Sequence, residues 1–100
     1  MRIGTTPTHQ FEVPIDVNTI STVEVTYCQN RQVILQLDTP RCTLKENMIS
    51  VTLTQKETFL FNPNVNVEIQ IRVVDANRGT LSSDIMCVSA DRCLSNEVLE

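Results

Sequence analysis

Residues 65–73 read VNVEIQIRV, in which apolar and polar side chains alternate without a break. Successive side chains of a β-strand point to opposite faces, so this alternation predicts a strand that buries its Val and Ile residues and exposes the others. No other run of this kind in the chain is as long. The fold is therefore predicted to be built around a half-buried antiparallel strand at this position.

The same alternation recurs earlier in the chain. Two strands on either side of Asn30 and Arg31 are predicted to form a hairpin, because Asn tolerates the left-handed backbone of a tight turn. A further strand follows Pro40, which interrupts the ladder. The inward positions of these strands are predicted to be Val23, Val25, Tyr27, Val33, Leu35, Leu37, Ile49, Val51 and Leu53.

Two other segments carry specific signals. Thr54 and Glu57 have the T-x-x-E spacing of a capping box, which predicts one short helical turn near residues 55–61, with an aromatic ring after it closing one end of the core. The return strand, residues 80–90, has apolar residues at both odd and even positions, so we expect it to be covered on both faces or bulged. Parity places Ile85 and Cys87 inward.

The composition agrees with these patterns. The 100 residues include 32 Val, Ile and Thr residues against two Ala and two Gly, which is typical of strands. The sequence predicts an all-β protein: an antiparallel immunoglobulin-like β-sandwich of six to seven strands. It is predicted to be a single domain over residues 1–100, with a core over about residues 9–93, a flexible N-terminal segment and a C-terminal tail.

The cysteines are predicted to be free thiols. No apolar run follows the first residues, so no signal peptide is predicted and we expect a reducing compartment. We therefore predict no disulfide. No metal site is predicted either, because no C-x₂₋₄-C pair occurs and His9 is the only histidine. Cys87 is interpreted as a small core residue, and Cys28, Cys42 and Cys93 as partly buried or exposed.

The sequence predicts no catalytic residue, no cofactor-binding residue and no cofactor, so we expect a protein that is not an enzyme. His9 lies in a Thr-rich segment without a nucleophile motif. The run Ser82-Ser83-Asp84 is interpreted as polar side chains exposed at the start of a strand. Glu24 and Glu68 alternate with polar residues and are interpreted as part of a solvated face rather than as a carboxylate pair.

Charge and aromatic content exclude other classes of function. The net charge of -4 argues against binding to nucleic acid or to an anionic membrane. Sugar-binding and single-strand-binding modules use exposed aromatic rings, whereas the chain has no Trp and its single Tyr27 is predicted inside. Protein partners remain, and the exposed strand faces and edges are the surfaces available to them.

The segments "ISVTLTQKET" and "NVNVEIQIRVVDANRGTLSSDIMCVS" resemble small proteins encoded in phages and prophages of Gram-positive gut bacteria. The layout over residues 9–93 is also similar to the N-terminal immunoglobulin-like domain of phage baseplate upper proteins. The resemblance implies a non-catalytic structural or interaction protein of a phage or prophage particle. Its partners would be other virion proteins or further copies of the chain, and it would be made in the bacterial cytoplasm. A peptide- or glycan-binding module of a bacterial host is the alternative.

Overall fold

A computed structural model describes residues 1–100 and shows two antiparallel sheets packed as a β-sandwich. The predicted fold class is confirmed, and the structure has eight strands instead of the predicted six to seven. The chain runs in the order β1 (Thr8–Glu12), β2 (Ile20–Gln29), β3 (Gln32–Asp38), β4 (Cys42–Lys45), β5 (Met48–Thr52), α1 (Gln55–Thr58), β6 (Val67–Asp75), β7 (Thr80–Ser82) and β8 (Met86–Val88). Two 3₁₀ turns, Val17–Thr19 and Thr39–Arg41, connect β1 to β2 and β3 to β4.

The smaller sheet has the strand order β1-β5-β4 and the larger one β3-β2-β6-β7, with β8 also paired to β6. The strand predicted from VNVEIQIRV becomes β6, the centre of the larger sheet. It pairs with β2 along most of its length, for example Val25 with Ile71 and Tyr27 with Ile69. These side chains are buried between the sheets, so the alternation placed them correctly.

The β2–β3 hairpin turns at Asn30 and Arg31, whose φ angles are 51° and 64°. Two consecutive positive φ values are the mark of a type I′ turn, whose twist suits a hairpin. A β-bulge follows, because Tyr27 pairs with Leu35 whereas Cys28 pairs with Val33. The extra residue reverses the parity on one side of it, so Val33, predicted inside, is 55% exposed.

The return strand is also bulged, one of the two predicted alternatives. β7 and β8 pair with β6 in registers that differ by one residue, and residues 83–85 lie between them. The Ser83 hydroxyl accepts a hydrogen bond from the Ile71 N–H at 3.0 Å, taking the place of a ladder carbonyl. The shift turns Ile85 and Cys87 outward, and both are exposed. The predictions that they point inward, and that Cys87 is a core residue, are wrong.

Thr54 and Glu57 form the predicted capping box around α1. The Glu57 N–H donates to Thr54 Oγ1 at 3.1 Å, and the Thr54 N–H donates to Glu57 Oε1 at 2.8 Å. After this turn Phe61 is buried, and its ring packs edge-on against Tyr27 with centroids 5.8 Å apart. An aromatic ring therefore closes this end of the core, as the sequence predicted.

The ends of the chain are packed differently. The N-terminal segment was predicted to be flexible, but Ile3 is 5% exposed within the core, and the Gly4 N–H donates to the buried Thr58 hydroxyl at 2.9 Å. In the C-terminal tail, Leu94 and Leu99 are exposed. The Leu99 backbone forms two hydrogen bonds with the Gln55 side-chain amide.

A buried amide at the end of β2 organises a neighbouring loop. Gln29 is 2% exposed, and its side chain accepts a hydrogen bond from the Asn62 N–H and donates to the carbonyls of Asn62 and Val65. These hydrogen bonds supply partners for backbone polar groups of the loop that leads into β6.

Candidate functional site

The two sheets leave an opening along one side of the sandwich, where β1 of the smaller sheet faces the β7–β8 edge of the larger sheet. We call this opening the edge groove. Its cavity measures about 240 Å³. It is lined by Gln10, Phe11, Glu12, Val13, Pro14, Ile71, Val73, Leu81, Ser82, Ser83 and Met86.

The floor of the edge groove is apolar and belongs to the core, since Phe11 and Ile71 are nearly fully buried there. The rim is apolar as well: Leu81 is 39% exposed and Met86 is 38% exposed. Both side chains stand opposite buried residues of β6 and so point toward the smaller sheet. No strand of the smaller sheet lies over them. The groove therefore offers water-exposed apolar surface that continues the core.

The edge of β1 that borders the groove has free backbone groups. The hydrogen bonds from the Val13 N–H to Asn47 O and from the Leu53 N–H to Pro7 O show that the backbone N–H and C=O groups of the odd-numbered residues of β1 point toward β5. In an antiparallel ladder the backbone groups of the residues in between point away from that partner strand. The N–H and C=O groups of Thr8, Gln10 and Glu12 therefore face away from the sheet, ready to pair with another strand.

The other edges of the sandwich are less suited to pairing. The β7–β8 edge is broken at residues 83–85, and β3 carries a bulge next to its turn. β4 is only four residues long and includes Lys45. Short length, bulges and lysine are among the features by which edge strands avoid pairing. β1 is five residues long, has a regular register with β5 and carries no lysine, so it is the least protected edge.

The polar residues of the edge groove carry little charge. Glu12 is the only ionisable residue in its lining, and its carboxylate accepts a hydrogen bond of 3.2 Å from the Asn47 amide. Gln10 is exposed and is bonded to no other side chain in the structure. Such a site can bind an extended segment through main-chain hydrogen bonds, with alternate apolar side chains entering the groove.

His9, the one histidine, lies on β1 with its side chain toward the sheet interior. Its Nδ1 is 2.8 Å from the Tyr27 hydroxyl. Burial and the nearby N-terminal ammonium lower the pKa of His9, and burial raises the pKa of Tyr27. Both groups are therefore neutral at pH 7, and the phenol can donate to the ring nitrogen. This contact ties the edge strand to the core of the larger sheet.

The other polar residues weighed in the sequence are placed apart. Glu24 pairs with Arg72 at 3.8 Å. Glu68 lies on the same face of β6, four residues before Arg72. That spacing separates the two carboxylates by about 13 Å, too far for a shared proton. Ser83 supports the bulge, and its neighbour Ser82 lines the edge groove.

The cysteines do not approach one another as bridge partners. Cys28 and Cys87 stand on opposite sides of Glu68 in the same row of the larger sheet. Two strand spacings separate their Cα atoms by about 9.6 Å, beyond the reach of a disulfide. All four cysteines are free, and burial raises the pKa of the half-buried Cys42 thiol. No three His, Cys, Asp or Glu side chains come together as metal ligands.

Sequence reasoning missed the edge groove, because the groove is formed by residues far apart in the chain. Phe11 and Leu81 meet only through the packing of two sheets. One signal was available in the sequence: Pro14 ends the short alternating stretch Gln10-Phe11-Glu12-Val13. Proline within sheets occurs mainly on edge strands, at strand starts and at bulges.

Comparisons with protein-family models, with curated proteins and with solved structures gave no match for this chain. The longest helix, α1, has four residues, and no helix in the structure could span a membrane. The edge groove and the residues that form it are therefore the features of this chain that indicate a function.

Proposed function

We propose that this chain is a non-catalytic structural or interaction protein that accepts a strand from a protein partner along the edge of β1. The observation that carries the proposal is the regular, unprotected edge of β1 next to the apolar edge groove. Main-chain groups of Thr8, Gln10 and Glu12 supply affinity that does not depend on sequence, and the groove selects apolar side chains.

The setting that we propose is a phage or prophage particle, in the bacterial cytoplasm during assembly and then in the virion. This part of the proposal is supported by the resemblance over residues 9–93 to small phage and prophage proteins. Particles are built from repeated protein contacts, and an open sheet edge is one means of making such contacts.

A peptide-binding module of a bacterial host is the second candidate, because the same edge groove would hold a peptide. The cavity of about 240 Å³ is smaller than the roughly 300–1,000 Å³ typical of small-molecule sites, and suits one or two side chains. A glycan finds less support, since the ring of Tyr27 is fully buried and cannot stack on a sugar.

The edge itself can be tested with Gln10→Pro. The Gln10 N–H points away from β5, so proline removes a donor for the partner and leaves the β1–β5 ladder intact. The matched control is Gln10→Ala, which removes the same side chain but keeps the N–H. Both variants should melt within a few degrees of the wild type.

The readout is mass spectrometry of phage particles purified after induction of the source strain. We expect the wild type and Gln10→Ala in the particles and Gln10→Pro to be depleted at least tenfold. Absence of the wild type from the particles would refute the virion setting. Equal incorporation of all three proteins would refute binding through the β1 edge.

A further inference from the structure

We infer that the strand accepted by β1 is the β1 strand of a second copy of this chain, paired antiparallel about a two-fold axis at Gln10. The inference depends on the proposed function and names its partner. It follows from three properties of β1: the prolines that flank it, the position of its one charge and the side chains on its inner face.

The first property is the position of the prolines. Pro7 and Pro14 flank the strand Thr8–Glu12. Pairing of β1 with a second β1 about Gln10 uses all three residues whose backbone groups face outward. Thr8 then stands opposite Glu12 of the second copy, and Gln10 stands opposite Gln10, each pair exchanging two N–H···O bonds. A shift of two residues toward the C-terminus would set Pro14, which has no donor, against Thr8.

The second property is charge. Glu12, the only ionisable side chain on the outward parity of β1, stands opposite the neutral Thr8 of the second copy. The two Glu12 carboxylates are then about 14 Å apart, more than the Debye length of roughly 8 Å at physiological ionic strength. Like charges directly opposite destabilise strand pairs, and this register avoids them. The net charge of -4 on each copy thus places little repulsion at the interface itself.

The third property is the inner face. In the same register His9 of one copy stands beside Phe11 of the other, in the closely spaced class of cross-strand pair. Aromatic cross-strand pairs of this kind stabilise sheets. Both residues line the interior of the smaller sheet, next to the edge groove. The paired smaller sheets would form one continuous sheet of six strands, β4-β5-β1-β1-β5-β4.

Charge variants at Gln10 test this register, because it sets Gln10 against itself. Gln10→Glu and Gln10→Lys each place like charges face to face, so each variant alone should dimerise more weakly than the wild type. The weakening should be about fivefold for Gln10→Glu and smaller for Gln10→Lys, because the lysine also lies diagonally across from Glu12 of the second copy. An equimolar mixture places Glu opposite Lys and should dimerise at least as tightly as the wild type. Sedimentation velocity over a concentration series measures all of these constants.

Two controls complete the experiment. Gln10→Pro should be monomeric throughout the series, whereas Gln10→Ala keeps the N–H and should still dimerise, within about fivefold of the wild type. Glu12→Gln should change the dimerisation constant less than twofold, since Glu12 faces Thr8. Thermal melts of each variant show that it is folded.

The outcomes separate this inference from the proposed function. A monomeric wild type, or a mixture that dimerises no better than the single charge variants, would overturn the pairing of two copies. If Gln10→Pro nevertheless fails to enter particles, the β1 edge still binds a strand, and that strand belongs to another protein. If Gln10→Pro both dimerises and enters particles, the inference and the proposed function both fail.

Discussion

The two long sides of the sandwich are closed in different ways. On one side the chain crosses directly between the sheets through Thr39–Arg41. The Arg41 guanidinium there forms two hydrogen bonds to the Glu57 carboxylate, at 2.6 and 2.7 Å. On the other side no segment of the chain connects β1 directly to the β7–β8 edge, and residues of both edges line the space between them. Chain connectivity thus seals one side and leaves the other open, with the edge groove in it.

The largest expected contrast between the interior and the open side comes from two Leu→Ala substitutions. Leu53 is fully buried, whereas Leu81 on the groove rim is 39% exposed. We expect Leu53→Ala to lower the free energy of unfolding by about 3 kcal/mol and Leu81→Ala to lower it by about 1 kcal/mol, because only the buried site leaves a closed cavity. Urea denaturation measures both values. Equal losses would show that the groove rim is packed as tightly as the core.

The closed side can be weakened through its charge pair with Glu57→Gln. Arg41 holds the pKa of Glu57 below its usual value of 4.5, although Arg41 itself is partly exposed. We expect the substitution to lower the free energy of unfolding by about 1 kcal/mol at pH 7, since glutamine keeps the cap but loses a charge-assisted pair.

The pH dependence of this loss has a definite sign. A carboxylate whose folded pKa is depressed stabilises the protein above its unfolded pKa, and this stabilisation is lost as the pH falls through the folded pKa. The difference between the wild type and Glu57→Gln should therefore shrink below about pH 4.5. Glu24→Gln is the control, because its 3.8 Å pair with Arg72 joins two exposed side chains and should contribute almost nothing. A difference that is constant from pH 7 to pH 3 would contradict the assignment.

The smallest effect is expected at the open side, from His9. Its folded pKa lies below the ordinary value of 6.5, so the unfolded chain takes up a proton that the folded protein does not. The free energy of unfolding should fall between pH 7 and pH 6, by at most about 0.7 kcal/mol for one such group. His9→Gln should show a smaller fall in urea denaturation over this range. An unchanged fall would assign it to another group.

The course of the main strands could be predicted from local pattern. Burial of Val23, Val25 and Tyr27 followed from period-two alternation, because each residue of a regular strand fixes the face of the next. The helical turn followed from Thr54 and Glu57, whose capping bonds span only three residues. Such interactions are local, and the sequence therefore contains all of the partners.

Bulges and long-range contacts could not be predicted in this way. A single extra residue beside Tyr27 reversed the predicted face of Val33, and a second bulge did the same for Cys87. The sequence between residues 80 and 90 allowed a bulge but did not locate it, because its position depends on the Ser83 hydroxyl meeting Ile71 on another strand. The edge groove was invisible for the same reason.

By itself the sequence determined that this chain is an antiparallel β protein with a one-sided distribution of Val and Ile, since strand periodicity is a property of neighbouring residues. Only the tertiary structure decided which strand lies at an open edge. That choice depends on strand order and on where the chain crosses between sheets, and these are settled by contacts between residues as distant as Phe11 and Leu81. The free backbone of Thr8, Gln10 and Glu12 is the consequence of that choice.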